Sequence, residues 1–275
     1  MSFTTADVVK LRKVTGAGMM DCKNALKDAE GDFDRALEII REKGKAIANK
    51  RADRDAAEGV VLAKVTPDNK FGAIVVLNCE TDFVAKNDSF VALTDSILNV
   101  ALENKADSLE ALKALELDGT VIDTLVTEQT GVIGEKLELS YYKCISADKI
   151  VNYIHPGNKL ATLVGFNKGD VETTVAKDIA MQIAAMAPIA IDKDAISQEV
   201  VDKEIEIAKE KYRLEGKPEA MLDKIAQGSL NKWFKDVTLL NQTYVKDGKI
   251  SIKDFLKQND SELTVTAFDR YSLDA

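Results

Sequence analysis

The chain has 275 residues, 45% of them apolar and 30% charged, with a net charge of −9. That length holds two or three modest domains, each able to bury a core. The acidic balance argues against a duplex nucleic-acid binder, which needs a basic stripe to displace counterions. Three cysteines, Cys22, Cys79 and Cys144, are far apart and not in metal-ligand pairs, so they read as reduced thiols. Met1 to Asp7 lacks the basic and apolar regions of a secretory signal, and no apolar run approaches membrane-spanning length. The expected compartment is the cytoplasm.

Residues 5 to 43 read as a small three-helix unit. Thr5 is placed to cap a first helix carrying Val8, Val9 and Leu11, which Thr15-Gly16-Ala17-Gly18 breaks. Met19, Cys22, Ala25, Leu26 and Ala29 then repeat at helical spacing. Gly31-Asp32 opens a third helix with Phe33, Ala36, Leu37 and Ile40 on one face and Gly44 after its end. This compact pattern resembles the ubiquitin-associated fold. Residues 44 to 57 form a charged, alanine-rich connector, either a surface helix or a flexible tether.

An internal duplication follows. Strand Gly59 to Thr66, turn Pro67-Asp68-Asn69, strand Phe71 to Asn78 and a helix from near Asp88 make the first unit, within residues 58 to 146. Strand Lys149 to Ile154, turn His155-Pro156-Gly157-Asn158, strand Lys159 to Asn167 and a helix through Val175, Ile179 and Ile183 begin the second, within residues 147 to 275. Residues 108 to 135 read helical and Glu138 to Ser146 as a further strand. The expected class is α+β: two related subdomains, each with a small antiparallel sheet covered by helices. From about residue 194 to 234 the chain reads as an antiparallel helical hairpin. Its seam is Val201, Ile205, Ala208 and Tyr212, and it either projects from the body or packs flat on it. Thr238 to Ala275 returns to short strands around a helix at Ile252 to Gln258.

Familiar catalytic signatures are missing. There is no G-x-x-x-x-G-K-[ST] loop, so the chain is not expected to bind nucleotide itself. Gly16-Ala17-Gly18-Met19 lacks the third glycine of a dinucleotide fingerprint and follows a helix pattern rather than a strand. His155 is the single histidine and sits in a hairpin turn, and Asp82 has no partner carboxylate in a motif. No cofactor, metal site or enzymatic activity is expected. The most informative stretch is Asn78-Cys-Glu-Thr-Asp-Phe-Val-Ala-Lys-Asn87, a polar turn after a buried strand that carries Phe83 beside Asp82. Phe83 either presents itself as a binding anchor or folds back into its own core, with Asp82 capping the next helix.

Two segments decide between these readings. Leu77-Asn-Cys-Glu-Thr-Asp-Phe-Val-Ala-Lys86 and Leu11-Arg-Lys-Val-Thr-Gly-Ala-Gly-Met-Met-Asp-Cys-Lys-Asn-Ala-Leu26 resemble the two signatures of the bacterial elongation factor Ts family, in the same order and separation. The similarity runs to about residue 270. It implies a guanine nucleotide exchange factor for the translational GTPase elongation factor Tu. In that family a phenylalanine wedges between helices of the GTPase and perturbs its Mg²⁺ and phosphate sites. On matching positions the wedge is Phe83, with Thr81, Asp82 and Val84 holding or extending it, and Asp82 fixing the loop as a hydrogen-bond acceptor. Met19 and Met20 match an N-terminal contact, although packing of at least one in the core remains open from the residues alone. Ile133, Gly134 and His155 match further contact positions; by residue pattern Gly134 is a helix C-cap and His155 a turn residue.

The match has two departures. Many members continue into a C-terminal helical module, whereas this sequence closes at Phe268 to Ala275, so that module's contact is expected to be missing or made elsewhere. Asp178 stands where the family usually has histidine, which leaves that histidine's role without a bearer. Two other readings are carried forward: an adaptor whose three-helix unit binds a ubiquitin-like or other partner, and a hydrolase or transferase using Asp82 and His155 in one pocket. The oligomeric state is open, with the hairpin or a sheet face allowing a homodimer or a 2:2 complex with the partner.

Overall fold

A computed structural model describes residues 3–274. The first helix, α1 (Thr5–Thr15), starts one residue after its cap: Thr4 rather than Thr5 closes it, in a reciprocal box with Asp7. The Asp7 N–H donates to the Thr4 hydroxyl at 3.3 Å and the Thr4 N–H to the Asp7 carboxylate at 2.7 Å. Helix α2 (Met19–Asp28) follows. In α3 (Phe33–Arg51), Asp32 supplies the cap. Val8, Leu11, Cys22, Ala25, Leu26 and Ala36 form the buried centre of these three helices.

Helix α3 departs from the expected boundary. It runs through Gly44, which is buried inside it rather than placed after its end, and it takes up much of the residue 44–57 stretch. Glycine weakens a helix interior by about 1 kcal/mol relative to alanine. A later helix crosses closely here, and it is that helix's Gly131 that must lack a side chain: a Cβ on it would lie 2.2 Å from the Gly44 Cα, whereas one on Gly44 would keep at least 3.5 Å from its neighbours.

Strands β1 (Glu58–Val65) and β2 (Phe71–Cys79) form the first hairpin. One helical turn, α4 (Asp82–Ala85), precedes α5 (Asp88–Asn104), which Asn87 caps. The stretch expected to be helical from 108 to 135 divides into α6 (Leu109–Ala114), the short strands β3 (Glu116–Leu117) and β4 (Thr120–Val121), and α7 (Ile122–Ile133). The division falls at Asp118-Gly119, both at positive φ (52° and 76°), a dipeptide that favours a tight hairpin turn over helix. Strand β5 (Glu138–Ser146) completes a sheet of order β1-β2-β5.

The second unit comprises β6 (Lys149–Ile154), β7 (Leu160–Phe166) and α8 (Thr173–Met186). The helical hairpin is α9 (Gln198–Leu214) packed along α10 (Leu222–Val237). Along its seam Val201, Ile205 and Tyr212 are half-buried and Ala208 is buried on one side, with Leu222, Ala226 and Leu230 buried on the other. Beyond it lie α11 (Ile252–Asn259) and β8 (Val265–Ser272). The expected short strands after residue 238 reduce to β8 alone, because Leu239–Asn241 coils into a single 3₁₀ turn. The second sheet has order β6-β7-β8.

The strands alternate with a period of two, and this builds four layers. In β2, Phe71, Ala73, Val75, Leu77 and Cys79 face α5 and α7, whereas Ile74 and Val76 face the other sheet. In β7, Val164 and Phe166 face α8, whereas Ala161 and Leu163 point back toward β2. The two sheets therefore pack on each other, and each carries helices on its outer face. The Tyr141 hydroxyl, from β5, donates across this junction to the carboxylate of Asp269 on β8, at 2.9 Å from each oxygen.

Candidate functional site

Strand β2 ends at the fully buried Cys79, whose thiol donates to the Thr81 carbonyl at 3.2 Å. Burial pushes this thiol up to about 12, so it stays protonated and unreactive at neutral pH. The next two residues rest on one carboxylate. The N–H groups of Glu80 and Thr81 donate to Glu135 Oε2 at 3.1 and 3.0 Å, and the Thr81 hydroxyl donates to Oε1 at 2.7 Å. The same hydroxyl oxygen accepts the Val84 N–H at 3.4 Å and so caps α4.

The exchange is mutual. Lys136 donates its N–H to Glu80 Oε1 at 2.6 Å, Arg51 pairs with that oxygen at 2.6 Å, and Arg54 reaches the other at 3.3 Å. Charge-assisted bonds of this kind are roughly twice as strong as neutral ones. The turn after β2 is thereby tied to the turn between α7 and β5.

Phe83 rides on this clamped turn. Val84 packs partly against the core and Ala85 is buried, and the one-turn helix leaves Phe83 pointing outward, 83% exposed. The alternative in which Phe83 folds into its own core is not what the chain adopts. Nor does Asp82 cap the following helix, which Asn87 closes. Its carboxylate pairs with Lys86 four residues on, at 2.6 Å, and that ammonium holds it below the usual carboxylate range. Within the chain, Glu135 and the Thr81 hydroxyl hold the turn.

Met19 and Met20 open α2 and are 38% and 65% exposed, so neither packs in the three-helix core. Gly16, three residues earlier, lies against Val132 of α7. Ile133 ends α7 half-buried against the core, and Gly134 caps it at φ 81°, donating its N–H to the Thr130 carbonyl. These two residues run directly into Glu135, which places them beside the Phe83 turn. His155 is exposed in the β6–β7 turn, its Nδ1 2.9 Å from the Tyr153 hydroxyl. That turn is held against β1 by the Val61 N–H, which donates to the Asn158 carbonyl at 2.7 Å. Lys159 pairs with Glu58 at 3.0 Å, and Glu58 lies opposite Cys79 at the base of the Phe83 turn.

The reading that joined Asp82 and His155 in one pocket finds no geometry to support it. The main clefts, the more enclosed being about 410 Å³ between α1, α3 and α7, are lined by neither residue. Among the described residues no cluster of His, Cys, Asp and Glu suits a metal ion. Asp178 accepts hydrogen bonds from the Tyr244 hydroxyl and from Lys246 Nζ, which ties α8 to the loop before α11. Its role here is internal.

The residues that sequence reading missed are Arg51, Arg54, Glu80, Glu135 and Lys136. Glu80 and Glu135 are 55 positions apart with no periodicity linking them. The available signal was an acidic residue directly after a strand end and another directly after the Gly134 cap.

The carboxyl of Glu80 is held below its ordinary value of 4.5, chiefly by the Lys136 N–H and then by Arg51. Its stabilising contribution is therefore complete above that value and is lost as pH falls through the lowered one. The difference in melting temperature between the wild-type chain and Glu80→Gln is expected to be largest near neutral pH and to close as pH falls below 4.5 and through the lowered value. A difference independent of pH would mean that the charge on Glu80 contributes nothing.

Comparison with known proteins agrees with the two signatures. The family model for elongation factor Ts matches residues 80–275. A protein of Azobacteroides pseudotrichonymphae named elongation factor Ts is 52% identical over 273 residues, covering 99% of each chain. One from Porphyromonas gingivalis is 51% identical over 276 residues and covers 100% of both, and one from Christiangramia forsetii is 52% identical across 98% of both. The chain belongs to the elongation factor Ts family. It is thus a translation elongation factor. The elongation factor Ts model begins at Glu80, the first residue of the clamp, and the three-helix unit is covered by the full-length relatives. Among the described residues no helix is long and apolar enough to cross a membrane.

Proposed function

We propose that this chain binds elongation factor Tu in its GDP form and accelerates GDP release, working in the cytoplasm and making or breaking no covalent bond. The observation that carries this reading is Phe83, a large aromatic 83% exposed on a turn that is itself held by charge-assisted hydrogen bonds. A rigid base under a free aromatic suits insertion into a partner, since little ordering entropy remains to be lost on binding.

Exchange needs no contact with the nucleotide. The factor binds the GTPase better when Mg²⁺ and GDP are loosely held, and reciprocity then weakens nucleotide binding by the same factor. A near-complete shift takes about 5.5 kcal/mol of differential binding. Burying Phe83 supplies about 1.5–3 kcal/mol, so a wider surface must act with it. Met19, Met20, Ile133, Gly134 and His155 are assigned to that surface, with Thr81, Asp82 and Val84 at the wedge.

The test is release of a fluorescent GDP analogue from elongation factor Tu of the same source. Release that rises with added wild-type protein is the expected result, and a rate indifferent to its presence would refute the proposal. An adaptor acting through the three-helix unit would bind its partner through Met20 and be insensitive to Phe83.

A further inference from the structure

The three-helix unit and the Phe83 turn are joined by one helix. Midway along α3, Lys43 pairs with Asp21, the residue after Met20. At the next residue α3 crosses α7, where a Cβ on Gly131 would lie 2.2 Å from the Gly44 Cα, and Arg41 pairs with Glu128 at 3.0 Å one turn earlier. At its far end Arg51 and Arg54 hold Glu80, at 2.6 and 3.3 Å, in the turn that carries Phe83. Eight residues separate Lys43 from Arg51, about 12 Å along a helix axis.

The cleft of about 410 Å³ lies beside the crossing, between Val14, Leu37 and Ile40 on the unit and Leu93, Leu125 and Val132 on the core. Beside this cleft the unit is held to the core by the α3–α7 crossing and by the ion pairs of Arg41 with Glu128 and of Arg51 with Glu80.

The geometry points to α3 as a strut that sets the spacing between the Met19–Met20 corner and the Phe83 turn, with Gly131 and Arg51 as positioning residues. This rests on the exchange reading, in which both surfaces meet one GTPase. Two contacts held at the matching separation engage as one, whereas a unit that tilts makes the second contact at a low effective concentration.

The test is a cycle on GDP release from elongation factor Tu, with Met20→Ala made in the wild-type chain and in Gly131→Ala. The strut predicts that Met20→Ala slows the bimolecular step about tenfold in the wild-type background and about twofold or less once the crossing is forced apart. Should Gly131→Ala not fold, Arg51→Gln serves as the second background, because it frees the far end of α3 and adds no bulk at the crossing. A role in folding alone lowers the folded fraction but leaves the Met20 penalty equal in both backgrounds, and equal penalties overturn the strut. If the wild-type chain does not accelerate release at all, the exchange reading falls and the strut with it. Acceleration with equal penalties removes the strut only.

Discussion

Phe83→Ala is expected to slow stimulated GDP release from elongation factor Tu by about ten- to a hundredfold, the equivalent of the 1.5–3 kcal/mol available from burying a phenylalanine. Its melting temperature should stay within about 1 °C of wild type, because surface substitutions usually change stability by under 0.5 kcal/mol and this ring is 83% exposed. The two readouts together make the test sharp. A core phenylalanine would lose both stability and activity, and a surface bystander would lose neither. Phe83→Leu should fall between wild type and alanine, since it keeps part of the apolar volume on the same clamped turn. Exchange that survives Phe83→Ala at the wild-type rate would remove the wedge and leave the wider surface as the source of the effect.

Ile74→Ala should be strongly destabilising, at about 2–5 kcal/mol, through lost burial and the cavity left behind. Ile74 is fully buried in the layer between the two sheets, together with Val61, Val76, Ile150 and Leu163. Packing there is close, since a Cβ on the neighbouring Gly72 would come within 3.1 Å of Ile150 and Leu163. For a chain of this size the melting temperature should fall on the order of 10 °C. Ile74→Val, which removes one methyl, should cost about 0.5–1.5 kcal/mol. Calorimetry of the two variants distinguishes the alternatives. A single transition shifted far more by alanine than by valine is expected if the sheets share this core. Two separate transitions, or equal shifts, would show that the sheets do not depend on each other.

Much of this was legible in the chain. Hydrophobic period marked the helices and strands, and their observed limits follow it wherever a local signal ends the element, as at Asn87 before α5 or Gly134 after α7. The two motifs pointed to the family and singled out Phe83, and the lack of a phosphate-binding loop turned attention from catalysis to binding. Local pattern misled where a residue serves a distant partner. Gly44 looked like a helix end because glycine usually ends helices, but α3 continues through it and crosses α7 at Gly131. The carboxylate that holds the Phe83 turn was not singled out either, because folding brings Glu135 in from beyond α7's far end.

By itself, then, the sequence determined the α+β class, the helical hairpin, the family and the identity of the exposed aromatic, because these depend on periodicity and on short contiguous motifs. Only the tertiary structure decided that Phe83 points outward, that Glu80 and Glu135 hold its turn, and that the two sheets share one core. Each of those depends on which groups meet across long stretches of chain. Nothing in the order of Glu80, Gly131 and Glu135 along the sequence reveals their proximity, which arises only once α3, α7 and β2 have packed.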